Sequence, residues 1–313
     1  MNEGARRVVL SLAAASLLLL LPAGAAAEVA SPAATQPAKV VFVDVGQGDG
    51  VIIKVGGRII VSDAGFPSAA DEMDEALDAL DADGHIYRAI LSHAHADHIG
   101  GFIGLIEKHG YTIDRAVYAP HHHYSHTKTN RALMDALDAH GVPLDEVYKG
   151  DEFRWGLASW KFLNPPEGAF QGNGGEANAS LVFRLGTRGS DLLFTGDIER
   201  DATAALVDAW TFGRAEVFLV THHGSNFATT NELLDKIDPE FSVISTGPNS
   251  HGHPGMFAVE RLQSSGTTIF CTEQNGTVTL TLAAGGAMDW HASDQEQPWW
   301  TRADGPTGRC VER

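Results

Sequence analysis

Four side chains of metal-ligand type crowd into six residues at His93-Ala-His95-Ala-Asp97-His98, just after the apolar run Tyr87-Arg-Ala-Ile-Leu91. On a strand, residues i and i+2 share a face, so His93 and His95 point to one side. The following turn presents Asp97 and His98 in another direction, and one short loop can then serve two adjacent cations. Ile99-Gly100-Gly101 follows, where a helix is expected to begin. A polar surface loop accounts for a lone histidine, but this ligand density is costly unless a metal is bound. The feature calls for a strand that ends in a site and a helix that leaves it.

The surrounding chain supplies such units. Val40 to Val45, Val51 to Val55 and Arg58 to Ser62 are short, rich in Val and Ile, and separated by Gly-bearing turns, so they read as strands. Ser68 to Leu80 places Met73, Ala76, Leu77 and Leu80 at helical spacing, and Ile86 to Leu91 is the strand that delivers the histidine loop. Gly100 to His109 and Asn130 to His140 read as helices. A second strand group covers Ser159 to Leu163, Ser180 to Leu185, Asp191 to Thr195, Val217 to Val220, Ser242 to Ser245, Thr267 to Cys271 and Thr277 to Leu282. Helices at Glu199 to Ala209, Asn231 to Ile237 and Gly255 to Gln263 interleave with it. Two strand-rich halves with helices outside predict two sheets packed face to face in one α/β domain.

Asp63, His93, Asp197, His222 and Ser245-Thr-Gly-Pro248 each follow a short apolar run, so strand ends can bring them to one rim. Asp197, after Leu192-Leu-Phe-Thr195, would alone read as a helix cap, and beside the histidine loop it reads as a ligand. His222 and His223 are adjacent, and neighbours on a strand point apart. One of them ligates, and the other contacts substrate or orients a ligand, unless the strand has already ended.

The run His-x-His-x-Asp-His-x-Gly-Gly resembles the signature of the metallo-β-lactamase superfamily. Asp44-Val-Gly-Gln-Gly-Asp49, Ser62-Asp63-Ala-Gly65, Asn178-x-Ser180-Leu-Val182, Phe194-Thr-Gly-Asp197, His222-His-Gly-Ser225 and Gly252-His-Pro254 follow in the order of its ComEC-like, competence-type branch. The resemblance implies an αββα sandwich of two mixed β-sheets over residues 40–282, holding two divalent metal ions, zinc in the main with manganese as the alternative. It implies His93 and His95 on the first metal, Asp97 and His98 on the second, Asp197 on both, and His222 or His223 on the second. Asp49 and Asp63 then orient ligating histidines and backbone. Asp97, His223 and His253 are the catalytic candidates, with His253 either protonating the leaving group or only shaping its loop. Ser225 and Asn249 fall on the substrate side or behind the ligands. Many members carry a third first-metal histidine in a Gly-His-x-x-Gly turn, whereas this chain, like the competence-type branch, has Asn178. An amide oxygen is a weak zinc ligand, so the first metal is loosely held, replaced by manganese, or completed by water. The cluster His121-His122-His123 with His126 is another source of a substitute ligand, or a solvated loop.

The amino terminus has Arg6-Arg7, an apolar run from Val8 to Leu21, and small residues up to Ala27. That run is short for a bilayer crossing, so residues 1–27 read as a signal peptide and the mature chain as exported, with no stable membrane insertion. Residues 28–39, rich in Ala, Pro, Ser and Thr, read as a flexible lead-in, and 283–313 as a tail. Cys271 and Cys310 can pair in an oxidising compartment and tie that tail down, and Trp299-Trp300 can help dock it. The net charge of −18 repels nucleic acid at long range and argues against a processive nuclease, although bound cations can reverse the field locally.

Two close metals would lower the pKa of a shared water and clamp the oxygens of a phosphoryl or carbonyl group. The expected activity is an exported phosphodiesterase acting on a phosphoester: nucleic acid, a nucleotide or a phospho-headgroup ester. A β-lactamase or lactonase is the rival enzyme, and a non-catalytic binding module for DNA uptake or the envelope is the rival class.

Overall fold

The computed structural model describes residues 36–123, 125–168, 175–294 and 297–298. The expected signal peptide, Trp299-Trp300 and Cys310 lie outside the described residues, and Cys271 is buried.

Seventeen strands are described. They are β1 (Ala38–Phe42), β2 (Gly50–Val55), β3 (Arg58–Ala64), β4 (His85–Ile86), β5 (Arg88–Leu91), β6 (Thr112–Ile113), β7 (Ala116–Tyr118), β8 (Leu144–Glu146) and β9 (Glu152–Trp155). They continue with β10 (Ala158–Asn164), β11 (Val182–Thr187), β12 (Ser190–Phe194), β13 (Val217–Leu219), β14 (Phe241–Ile244), β15 (Thr268–Cys271), β16 (Val278–Leu282) and β17 (Met288–Ala292). The helices of seven or more residues are α1 (Ala70–Asp78), α2 (Ala96–Glu107), α3 (Lys128–Ala139), α4 (Arg200–Asp208), α5 (Asn231–Ile237) and α6 (Met256–Ser265).

An eight-stranded sheet runs β17-β16-β1-β2-β3-β5-β7-β8, and a seven-stranded sheet runs β15-β14-β13-β12-β11-β10-β9. Both are mixed. The β3, β5, β7 and β8 pairings are parallel, as are those of β12 to β15, and the other pairings in the two large sheets are antiparallel.

Period-two alternation sorts the side chains. Val40 and Phe42 join Phe183, Phe194 and Val217 in a core between the sheets, while their neighbour Val41 packs with Met73, Phe102 and Leu133 from α1, α2 and α3. In the same way Leu193 turns to the outer core with Leu206, Leu233 and Leu262 from α4, α5 and α6. Helix, sheet, sheet and helix thus form four layers, the expected αββα sandwich.

Four elements differ from expectation. α2 begins at Ala96, not Gly100, so Asp97 and His98 occupy its first turn, where a carboxylate meets the positive end of the helix dipole. The glycines mark close packing instead of a helix start: a Cβ at Gly101 would lie 2.0 Å from the Ala64 carbonyl oxygen. β1 begins inside the segment read as lead-in, and β17 inside the segment read as tail, paired along its length with β16. Trp290 of β17 packs on Phe241 and Phe270, with ring centroids 4.8 and 4.9 Å apart, so part of that segment belongs to the sandwich. β11 starts at Val182, two residues later than expected, behind a 3₁₀ turn at Ala177–Ala179.

Candidate metal centre

Parallel strands put their carboxyl ends on one rim, and that is where the polar motifs meet. β3 carries Asp63 one residue before its end, and Asp63 Oδ1 accepts the backbone N–H of Ser92, just past β5, at 2.9 Å. Its Oδ2 lies 2.9 Å from His98 Nδ1. A proton on Nδ1 therefore faces Asp63, and His98 Nε2 is the nitrogen turned to the centre. That Nε2 stands 3.2 Å from Asp197 Oδ1 and 3.3 Å from His223 Nε2. On the other side, His93 Nε2 is 2.9 Å from His95 Nδ1 and 3.5 Å from Asp197 Oδ2. His93 Nδ1 is held 3.0 Å from Ser92 Oγ.

From the second sheet, Asp197 follows β12 and is fixed by its own N–H, which donates to Ser180 Oγ at 3.1 Å. β13 stops at Leu219, before the histidine pair, so the rule that strand neighbours point apart no longer governs them. His222 and His223 both adopt left-handed backbone, with φ of 49° and 52°. That conformation costs a non-glycine residue about 1–2 kcal/mol. The kink sends the two rings to different jobs. His223 is buried, with Nδ1 3.0 Å from the Ser245 carbonyl oxygen and Nε2 3.4 Å from Asp197 Oδ1. His222 is partly exposed, with Nε2 3.4 Å from Asp197 Oδ2 and Nδ1 2.7 Å from Glu199 Oε1.

Two groups of ligand-type atoms result: Asp49, His98, Asp197 and His223 in one, and His93, His95 and Asp197 in the other. Asp197 belongs to both, one oxygen to each. Asp49, expected only to orient histidines, stands in the first group, with Oδ1 3.4 Å from His223 Nδ1. Asp97 stands at its edge, Oδ2 3.8 Å from His223 Nε2, and its carbonyl accepts the Asp49 N–H.

Electrostatics fit a cation here. Burial opposes charge on Asp197, yet His98, His223 and His93 together hold its carboxyl well below the usual range. Burial likewise disfavours a charged His223, but Asp197 and Asp49 outweigh it and raise the imidazole to about 10. His98 is raised for the same reason by Asp197 and Asp63, whereas burial and the neighbouring His98 push His93 well below the ordinary histidine value. The buried carboxylates thus demand positive charge among imidazoles whose nitrogens face one another at about hydrogen-bond distance. Divalent cations satisfy both demands, and N and O donors suit zinc or manganese.

The remaining expected residues fall around this centre. Asn178 gives its amide oxygen to the Glu199 N–H at 2.7 Å and so serves the start of α4. Asn249 spends both ends of its amide on backbone, accepting from His251 and His253 N–H and donating to Gly247 and His253 carbonyls, which shapes the His253 loop. Ser225 is buried, and its Oγ accepts the Phe227 N–H at 3.4 Å. The His253 ring lies 5.1 Å from that of His222, and burial followed by His222 and His223 lowers it to about 4. It is neutral at pH 7, able to donate an N–H but not to act as an imidazolium.

The cluster His121 to His126 divides. His121 Nε2 accepts the Ala94 N–H at 3.1 Å, bracing the histidine loop from behind. His123 turns to Tyr118 and Glu146, and His126 is exposed. Ser180 and Ser245 stand in motifs named above, though not with the roles of holding the Asp197 N–H and the His223 ring. Glu199 was not singled out, although it lies two residues beyond Asp197, in a segment otherwise read as the start of a surface helix.

The fold and this rim place a candidate metal-binding cluster in a class whose members are generally metal-dependent hydrolases. Residues 43–247 match the Metallo-beta-lactamase superfamily, and the chain belongs to that superfamily. Its relatives are competence proteins of the ComEC type. ComE operon protein 3 of Bacillus subtilis is 28% identical over 79% of this chain and 33% of its own length. Competence protein ComA of Neisseria gonorrhoeae is 28% identical over 87% and 38%, and Recombination protein 2 of Haemophilus influenzae 26% over 84% and 31%. The chain spans about a third of the length of these relatives. Among solved structures, the diiron β-hydroxylase CmlA of Streptomyces venezuelae is similar with a TM-score of 0.51, 14% identity and coverage of 79% of this chain and 54% of that one. YhfI of Bacillus subtilis, a metallo-beta-lactamase fold protein, gives 0.50 with 12% identity, 82% and 99%. These two similarities speak to the fold.

Proposed function

We propose that this chain is an exported phosphodiesterase with two divalent metal ions, zinc or manganese. The observation that carries the reading is the position of Asp197, whose two carboxylate oxygens face separate histidine groups, His98 and His223 on one side and His93 on the other. Bound there, two cations would lower the pKa of a water between them and bind the oxygens of a phosphoryl group.

The chain's own residues do the rest. Asp63 and the Ser245 carbonyl hold the protons of His98 and His223 on Nδ1, so both present Nε2 lone pairs inward. Asp97 sits beside them in the first turn of α2. His222, kept in place by Glu199, and His253 form the wet side of the centre, where a departing alkoxide meets an N–H donor. The names of the relatives, competence and recombination proteins, support a phosphodiester of nucleic acid or nucleotide type. Among the described residues no helix is long and apolar enough to cross a membrane. Export rests on the amino-terminal pattern of basic pair, apolar run and small residues.

A hydrolysis screen with zinc and with manganese tests the reading, using bis(p-nitrophenyl) phosphate, single- and double-stranded DNA, p-nitrophenylphosphorylcholine and a cephalosporin. Metal-dependent release from the phosphodiesters, with none from the cephalosporin, is expected. Turnover of the cephalosporin alone would overturn it.

A further inference from the structure

The three most exposed large apolar side chains among the described residues are Phe227 (60%), Phe257 (53%) and Met256 (49%). Phe227 lies on the loop that follows His223, and Met256 and Phe257 open α6 just after the His253 loop. Those loops are stitched together: the Gly255 N–H donates to the Gly224 carbonyl, and Asn226 Oδ1 accepts from the backbone N–H groups of Phe257 and Ala258. Beside them opens a cavity of about 440 Å³, lined by Arg200, Asp208, Asn226, Phe227, Glu232 and Arg261. Arg200 enters from α4, three residues after Asp197, and Asn226 and Phe227 follow His223 by three and four residues, so two of the cavity's walls are continuous in sequence with the metal centre.

The cations in it differ. Arg261 spends its guanidinium on the carbonyls of Asn226 and Thr229 and fixes the loop. Arg200 has no carboxylate in ion-pair reach among the described residues, and its guanidinium lies 5.7 Å from the centre of the Phe227 ring. An exposed aromatic face beside an uncommitted planar cation is a stacking platform for a flat, polar ring. Asp208 and Glu232 repel a second phosphate but accept hydrogen bonds from ring N–H and amino groups. The volume suits a nucleoside-sized group.

We propose that this cavity is a nucleobase subsite, in which a base of a nucleoside phosphodiester stacks on Phe227 and against Arg200 while its phosphate occupies the metal centre. The assignment rests on the phosphodiesterase reading for the second half of that statement. It favours single-stranded or short substrates, since a base must leave its stack to enter, and this agrees with a chain too acidic to hold a duplex.

Fluorescence anisotropy of the purified metal-loaded protein tests it, with a labelled phosphorothioate hexathymidylate and an abasic hexamer of the same charge. The base-bearing probe is expected to bind about tenfold more tightly than the abasic one, and Phe227→Ala to remove about that factor while Phe227→Trp keeps it. Arg200→Ala is expected to weaken the base-bearing probe more than the abasic one. Equal binding of the two probes, or no effect of Phe227→Ala, overturns the subsite. Hydrolysis of bis(p-nitrophenyl) phosphate, measured on the same sample, separates the two readings. Base-dependent binding without hydrolysis removes the phosphodiesterase and keeps the subsite, whereas hydrolysis without base dependence does the reverse.

Discussion

Glu199 Oε1 lies 2.7 Å from Nδ1 of His222, which points the opposite nitrogen of that ring at Asp197, 3.4 Å away. The two are within ion-pair reach without a hydrogen bond at His222 Nδ1, so Glu199 acts on the ring through its charge. Glu199→Gln keeps the shape and removes the charge, so bis(p-nitrophenyl) phosphate turnover is expected to fall about tenfold with the metal content of His93, His95, His98 and His223 retained. Rate constants measured beside elemental analysis check this, and an unchanged rate would show His222 to be idle.

Asp197 is the one side chain common to both ligand groups. Asp197→Ala is expected to abolish turnover and strip metal from both sites, because two cations at close range lose the negative charge between them. Circular dichroism should show a folded chain. A variant with wild-type metal content would contradict the shared role.

Metal uptake should compete with protons. His223, raised to about 10 by Asp197 and Asp49 against the opposing effect of burial, is protonated in the metal-free chain at pH 7, and a cation can bind only its neutral form. His98, raised by Asp197 and Asp63, is protonated as well, so uptake on both rings releases two protons, and affinity is expected to rise about a hundredfold per pH unit across the neutral range. Calorimetry in buffers of different ionisation enthalpy would count the protons. Release of none at pH 7 would be the contrary result.

The Asn178 amide oxygen is engaged by the Glu199 N–H. Asn178→His is accordingly expected to leave zinc affinity unchanged and to cost about 1 kcal/mol of stability through the lost hydrogen bond. Chelator competition and denaturant unfolding distinguish this from the alternative, in which the new imidazole tightens the first metal.

Trp290 lies beyond the end expected for the domain yet stacks between Phe241 and Phe270. Trp290→Ala is expected to destabilise the fold by about 2 kcal/mol, less than for a fully buried tryptophan because the ring is partly exposed. Thermal unfolding would measure it.

The strands that end in the site were readable because their alternation is long enough to count and each stops at a polar motif: Val61 and Ile90 precede Asp63 and His93, and Leu193 precedes Asp197. β6 to β9 were not, being two to four residues each and carrying no motif. The start of α2 was misplaced because Gly100 and Gly101 read as a boundary, when their small size serves contact with the β3 turn. The choice between His222 and His223 depends on two left-handed residues, and φ leaves no trace in residue type unless glycine adopts it. Glu199 looked like one more surface acid until the fold turned it toward His222.

The division of the centre between the layers has a consequence for how the molecule holds together. Asp49, Asp63, His93, His95 and His98 come from the amino-terminal half and Asp197 and His223 from the carboxyl-terminal half, so neither half owns a complete set of donors. Bound cations would act as rivets across the sandwich, and their binding energy would oppose any parting of the sheets. A chain cut between Glu146 and Glu152 would yield two pieces that bind metal tightly only when mixed, and β16 and β17, carried by the second piece but paired into the first sheet, would guide that reunion. Cutting and mixing would make metal uptake a signal of reassembly.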